Sequence, residues 1–231
     1  MARILDQIPA RPRARRIARL GPPVLLAVLL AGAGLSARGT EAPLAADPAP
    51  AAGVSAEDRA ALSRANAFLN DIGTLRGRFE QLSETGLARG TFYMSRPGKL
   101  RFEYDPPAQI RFIVDGTWVG IDDIELETVN RYPLSATPLK VLLAEDVDLG
   151  RDTEIVAIEH MPGQTRITLR KDDGAAQGEL TLVFSRPDFE LQQWVVTDAQ
   201  GTRTSIRLAE VEHDVELSPS LFVIHDYSID F

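Results

Sequence analysis

The amino-acid sequence predicts a mainly β protein with a few short helices. In residues 99–104 the apolar Leu100, Phe102 and Tyr104 alternate with charged residues, which is the period of a strand with one apolar face. Asp115-Gly116 separates two further runs of this kind, as in a tight hairpin. Because successive candidate strands are joined by few residues, we expect antiparallel pairing rather than helical crossovers.

The first 37 residues read as a secretory signal. An arginine-rich stretch at residues 11–19 precedes an apolar run at residues 23–31 and then small residues. The alternative is a single membrane anchor, but the run is shorter than the roughly 18 apolar residues that a spanning helix needs. We therefore predict a cleavable signal peptide at residues 1–37 and an exported protein.

Residues 38–54 are rich in alanine and proline, which predicts a flexible linker. The remaining residues, 55–231, have the size of one domain. The chain has no cysteine and hence neither a disulfide nor a lipid-attachment cysteine. Its net charge of −8 includes the basic leader, so the rest of the chain is more acidic still. This charge disfavours nucleic acid as a partner.

A first helix is predicted from Ser55 onwards. Ser55 and Asp58 have the spacing of a capping box, and Gly73 follows the segment. Ala61, Leu62, Ala65, Phe68, Leu69 and Ile72 recur at helical period and form one apolar stripe. This stripe needs a surface to cover.

The strands follow in series, with Gly77 in the first as the expected point of a bulge or close approach. The predicted strands span residues 75–82, 90–95, 99–104, 110–114, 118–122, 153–159, 165–171, 179–185, 192–197 and 202–209. Residues 172–174 and 198–201 are predicted turns between the later strands.

A second helix is predicted where residues 132–143 interrupt the strands. Thr137 is a candidate N-cap and Pro138 occupies the favoured first position. Leu139, Leu142 and Leu143 then give this helix an apolar face. We expect it to cover the sheet together with the first helix.

No catalytic or metal-binding constellation accompanies these elements. His160, His213 and His225 are far apart and lack the paired spacing of a zinc site. The sequence contains neither a Gly-x-Ser-x-Gly elbow nor a phosphate-binding loop. We therefore expect no enzymatic activity, no metal and no cofactor.

Several segments, in order along the chain, resemble the outer-membrane lipoprotein carrier family LolA. The most specific is Arg-Pro-Gly-Lys-Leu-Arg-Phe-Glu-Tyr at residues 96–104. The weaker ones are residues 75–81 with an aromatic-x-Gln pattern, 90–95, 105–107, 114–119, 137–143, 191–194, 198–201 and 217–222.

The resemblance implies an unclosed antiparallel β-barrel, or half-barrel, covered by a helical lid. It implies a periplasmic chaperone that carries triacylated lipoproteins from the inner to the outer membrane in an apolar cavity. The implied partners are an ATP-driven inner-membrane lipoprotein-release complex and a lipoprotein receptor at the outer membrane. The C-terminal tail of this chain leaves open whether it needs that receptor. We expect a monomer.

The apolar strand faces supply the candidate acyl-chain cavity, although an ordinary core beneath the helices is the alternative interpretation. The candidate cavity residues are Phe79, Phe92, Leu100, Phe102, Tyr104, Phe112, Val114 and Trp118. Leu139, Leu142 and Leu143 would form the lid. The resemblance assigns a gating role to Arg96, which would bond to lid backbone, whereas Arg96 could also be a simple turn residue at a strand end.

Two rival functions follow from the same residues. One is a periplasmic lipid-binding or lipid-sensing module on the same fold, distinguished from a lipoprotein carrier by its bound cargo. The other is a lipid hydrolase, which would need a nucleophile and a base close together.

Overall fold

The computed structural model describes residues 55–170 and 178–227. The predicted signal peptide, the predicted linker and the predicted turn at residues 172–174 lie outside the described residues, as do residues 228–231.

The first helix, α1, spans Ala56–Asp71 and begins with the predicted capping box. The backbone N–H of Asp58 donates to the Ser55 hydroxyl oxygen at 3.0 Å, and the Ser55 N–H donates to the Asp58 carboxylate at 3.1 Å. The apolar stripe of α1 is buried at Ala61, Ala65 and Leu69. This helix thus satisfies its own first-turn donors and covers the sheet with its apolar side.

The described residues form a sheet of 11 strands, and each strand pairing is antiparallel. The strands are β1 Thr74–Ser83, β2 Gly86–Ser95, β3 Lys99–Tyr104, β4 Ile110–Asp115, β5 Trp118–Asp123, β6 Thr128–Pro133, β7 Glu154–Met161, β8 Gln164–Arg170, β9 Gly178–Ser185, β10 Leu191–Asp198 and β11 Arg203–His213. Their order is β6-β5-β4-β3-β2-β1-β11-β10-β9-β8-β7. Within the described residues β6 and β7 are free edges, so the predicted unclosed half-barrel is confirmed.

Local signals in the sequence agree with this sheet, with one omission. The register of β1 against β11 shifts between Arg76 and Arg78, where β11 has one residue more than β1, so the bulge lies on β11 opposite Gly77. Gly77 is instead the predicted point of close approach, because a Cβ there would lie 2.8 Å from the Ala209 carbonyl oxygen. Strand β6 was not predicted. Its residues are mostly exposed on both faces, so it lacks the apolar alternation that marks a half-buried strand, and its Pro133 suits an edge.

The chain crosses from the β6 edge to the β7 edge through residues 134–152, called here the lid segment. It contains a 3₁₀ turn at Leu134–Ala136 and two single-turn helices, α2 (Leu139–Leu142) and α3 (Leu149–Asp152). The predicted capping role of Thr137 is wrong. Pro138 occupies the N-cap of α2 without a side-chain cap, and the Thr137 hydroxyl donates to the Leu134 carbonyl at 2.9 Å.

One buried apolar cluster joins α1, the lid segment and the inner face of the sheet. Along β1, for example, Leu75, Phe79 and Gln81 are buried while Arg76 and Leu82 on the other face are exposed. No helix among the described residues is both long enough and apolar enough to cross a membrane.

The C-terminal segment, residues 214–227, lies across the outer face of β3 to β6. The Arg101 guanidinium donates to the Leu221 carbonyl at 2.8 Å, and the Tyr227 hydroxyl donates to the Asp122 carboxylate at 2.6 Å. A Cβ on Gly120 would lie 2.7 Å from Ile224. Arg101, expected on the outer face, does lie there, but this segment buries it.

Candidate functional site

The apolar interior of the half-barrel contains seven of the eight residues predicted to line a cavity. They are Phe79, Phe92, Leu100, Phe102, Tyr104, Phe112 and Val114, and all are buried in the single cluster. Phe102 lies at the centre of an aromatic group, with ring centroids 4.7 Å from Phe79, 5.9 Å from Phe112 and 6.1 Å from Trp194. The strand alternation therefore places these side chains on one face, as the sequence indicates.

Trp118 is a correction. It is 44% exposed, whereas the next residue, Val119, is buried and pairs with Val114 across β4 and β5. Successive side chains of a strand point to opposite faces, so Val119 and Trp118 cannot both face the interior. Trp118 lies on the outer face, and its predicted place in the cavity is wrong.

A small cavity of about 30 Å³ lies in this interior between the sheet and α2. It is lined by Gln81, Phe102, Tyr104, Phe112, Leu139, Trp194, Val196, Thr204 and Ile206. This space can hold water but is far smaller than an acyl chain. Buried side chains thus fill most of the interior and leave no room for an acyl chain.

Five of these lining residues are not among the predicted cavity or lid residues: Gln81, Trp194, Val196, Thr204 and Ile206. They lie on β1, β10 and β11. β11 pairs with β1 from far along the sequence, and β10 pairs with β11. Alternation within β10 and β11 could have identified Trp194, Val196 and Ile206. The polar Gln81 and Thr204 carry no such signal.

The predicted lid residues Leu139, Leu142 and Leu143 are buried against the same cluster. Leu139 lines the cavity directly. The lid segment thus supplies part of the wall of the interior, and its displacement would open the cavity on that side.

Arg96 lies at the end of β2 and contacts the lid segment. Its guanidinium donates a hydrogen bond to the carbonyl of Ala144, just after α2, and the Gly98 N–H donates to the Leu143 carbonyl at 2.9 Å. Burial lowers the pKa of Arg96, and no carboxylate within the described residues pairs with it. Its Nε is buried without a hydrogen-bond partner there. The guanidinium is thus committed to a backbone carbonyl rather than to an ion pair.

A second set of bonds joins the lid segment to α1 and was not predicted from the sequence. The Asn70 amide oxygen accepts from the Val147 N–H at 2.8 Å, and the Asn70 amide nitrogen donates to the Val147 carbonyl at 2.9 Å. One turn earlier on α1, the Asn66 amide oxygen accepts from the Leu149 N–H at 3.0 Å. Two asparagines four residues apart therefore replace backbone pairing for this part of the lid segment.

The described residues contain no cluster of three or more metal-binding side chains. His160 contacts Asp58 of α1 at 3.0 Å, while His213 ends β11 and His225 lies in the C-terminal segment. The structure therefore brings no two of these histidines to one element.

Comparison with known proteins gives one family. The sequence profile described as "Outer membrane lipoprotein carrier protein LolA" matches residues 70–225. A curated outer-membrane lipoprotein carrier protein of Methylococcus capsulatus is 29% identical over 170 residues, which cover 69% of this chain and 81% of the relative. That of Chromohalobacter salexigens is 30% identical over 155 residues, or 64% and 70% of the two chains.

Among solved structures, a LolA superfamily protein from Nitrosomonas europaea matches with 9% identity and a TM-score of 0.43. The match covers 71% of this chain and 96% of that chain.

Proposed function

The chain belongs to the LolA family of outer-membrane lipoprotein carriers, and we propose that it carries lipoproteins across the periplasm by enclosing their acyl chains between the sheet and the lid segment. Family membership supports carriage of lipoproteins. The enclosed acyl chain, the gating by the lid and the route are parts of the proposal.

The observation that carries the proposal is the continuous apolar interior of an unclosed sheet, covered on one side by single-turn helices. Transfer of one methylene from water into such an interior contributes roughly 0.8 kcal/mol. An acyl chain of ordinary length therefore binds strongly without any charged contact. The interior needs no catalytic group to do this.

Loading requires the lid segment to move, because the closed cavity is smaller than an acyl chain. We assign the gating role to Arg96: its bond to Ala144 closes the lid, and breaking that bond frees α2 and the leucines it carries. The apolar side chains that now pack on one another would then pack on the cargo. Because one apolar contact replaces another, the empty closed state and the loaded open state should have similar free energies.

The proposed partners are triacylated lipoproteins, the ATP-driven complex of the inner membrane that releases them, and an acceptor at the outer membrane. The proposed compartment is the periplasm, and the proposed working form is a monomer comprising residues 38–231 after removal of the signal peptide.

A release assay tests the carrier function. Mature protein, residues 38–231, is added to spheroplasts of its own host, and the supernatant is probed for lipoprotein in complex with it. We expect a soluble complex, and no release with the lid variant Leu142→Asp. Absence of lipoprotein from the wild-type supernatant would contradict the proposal. Recovery of free phospholipid bound to the protein would instead favour the rival function, a lipid-binding or lipid-sensing module.

A further inference from the structure

Three polar side chains face the apolar interior at one place. Gln81 on β1 is 3% exposed, Thr204 on β11 is 4% exposed and Tyr104 on β3 is 8% exposed. All three line the cavity beside Phe102, Trp194 and Ile206. Polar groups are costly in such surroundings unless they are hydrogen-bonded, so their presence needs a reason.

The backbone creates room for this group through small residues on β2. Gly90 pairs with Phe79 on one side and with Tyr104 on the other, and a Cβ on Gly90 would lie 2.5 Å from the Phe79 ring. Ala88 pairs with Gln81. Because β2 presents no bulky side chain at these two positions, the Tyr104 hydroxyl reaches across it to Gln81.

The hydrogen bonds within the group leave donors unused. The Tyr104 hydroxyl donates to the Gln81 amide oxygen at 2.6 Å, and this is the one side-chain hydrogen bond of either residue within residues 55–170 and 178–227. The Gln81 NH₂ and the Thr204 hydroxyl have no hydrogen-bond partner in that part of the chain. With the amide turned by 180°, the free donor would be the Tyr104 hydroxyl instead. In either arrangement, a donor on a buried residue faces the cavity.

We propose that Gln81, Tyr104 and Thr204 form a carbonyl-binding subsite that donates hydrogen bonds to the acyl carbonyl oxygen of the bound lipid. The inference rests on the proposed function, since it deepens the description of the same interior. The group offers neutral donors, and no cationic side chain of residues 55–170 or 178–227 lines the cavity. A neutral ester or amide carbonyl fits such a site, whereas a phosphate or free carboxylate would be a buried charge without a counter-charge.

The subsite fixes how deep an acyl chain sits. With its carbonyl oxygen at Gln81 and Thr204, the hydrocarbon extends past Phe102 and Trp194 beneath Leu139. Neutral hydrogen bonds of this kind contribute little net free energy, so the subsite selects and positions the chain while the apolar surface supplies most of the affinity.

Two probes that differ only at the carbonyl test the subsite: a pyrene-labelled palmitic acid methyl ester and the matching ether, in which a methylene replaces the carbonyl. Binding to the mature protein is followed by pyrene fluorescence. We expect the wild type to bind the ester about 3- to 10-fold more tightly than the ether, the range for one or two neutral hydrogen bonds. Gln81→Leu and the isosteric Thr204→Val should each bring the ratio towards one.

Val196→Ala is the matched control, because it trims the apolar lining of the same cavity and should weaken both probes equally. Melting temperatures show whether each variant is folded, and Thr204→Val preserves the side-chain volume. If Gln81 serves only to satisfy Tyr104, Gln81→Leu will lower the melting temperature and leave the ester-to-ether ratio unchanged, which would overturn the subsite. Equal binding of both probes by the wild type would overturn it while leaving the carrier function intact. Binding of neither probe would overturn both.

Discussion

Helix α1 and the lid segment cover the same interior but are stabilised in different ways. α1 has 16 residues and its own capping box, with both bonds made inside the helix. In the lid segment, α2 has four residues and no side-chain cap. After α2, the backbone groups of Leu143, Ala144 and Val147 bond to Gly98, Arg96 and Asn70, which belong to other elements.

The difference distinguishes α1, which we expect to stay in place, from the lid segment, which we expect to be displaced. A helix that satisfies its own ends keeps its structure when a neighbour moves, whereas isolated single turns are unstable without outside contacts. We therefore propose that the lid segment detaches by losing these few hydrogen bonds and its leucine contacts, while α1 stays on the sheet. We expect low local stability in the lid segment and high local stability in α1.

The largest effect is expected from Leu142→Asp. Leu142 is fully buried, and a carboxylate there has no partner, so the closed lid should lose about 4 kcal/mol or more. We expect the affinity for the pyrene-labelled ester to fall at least about tenfold. Hydrogen exchange should show the lid segment open and α1 still protected. Lys140→Asp, on the exposed side of α2, is the control and should leave the affinity unchanged. An unaltered affinity in Leu142→Asp would show that α2 is not part of the lid.

A smaller effect is expected from Arg96→Leu. Loss of a charged donor to the Ala144 carbonyl costs about 1.5–3 kcal/mol, so amides of the lid segment should exchange about 10- to 100-fold faster. Amides of α1 should exchange at the wild-type rate. Arg89→Leu removes an exposed pair with Glu80 and should change neither region. Equal protection of the lid-segment amides from exchange in wild type and Arg96→Leu would show that Arg96 is only a turn residue.

The smallest effect is expected from Ser55→Ala, which removes the cap of α1. The helix should lose about 1 kcal/mol, and the lid segment should exchange as in the wild type. Bonds from Ser55, and then from His160, hold the pKa of Asp58 below its ordinary value. A carboxyl with a lowered folded pKa stabilises the fold above the unfolded value near 3.9, and this stabilisation disappears as the pH falls through the lowered pKa.

In Ser55→Ala the pKa of Asp58 should therefore rise towards its ordinary value, as followed by NMR titration of the side chain. Faster amide exchange in the lid segment of this variant would show that the stabilities of α1 and the lid segment are coupled, which would contradict their independence.

Features encoded by neighbouring residues could be predicted from the sequence. The capping box and the hairpin around Asp115-Gly116 each depend on residues a few positions apart. The apolar face of β3 follows from its own alternation. The prediction for Trp118 is wrong because an aromatic side chain favours the interior, whereas the alternation of the strand places Trp118 on the face opposite Val119.

Features that depend on distant partners could not be predicted. β6 lacks apolar alternation and is a strand because β5 pairs with it. Asn66 and Asn70 look like ordinary polar residues of a helix until the fold brings Val147 and Leu149 to them. Likewise, the environment of Gln81 comes from β3 and β11, which the local sequence does not specify.

The pairing of β1 with β11 determines when the protein can fold. Leu75 pairs with His213, and in the described chain the two halves of the sheet are joined by no other strand pair. Among the described strands β1 is synthesised first and β11 last, and contacts of such high sequence separation form slowly. A nascent chain therefore lacks the pair that joins the two halves of the sheet until β11 has been synthesised, and the half-barrel can be completed only after that.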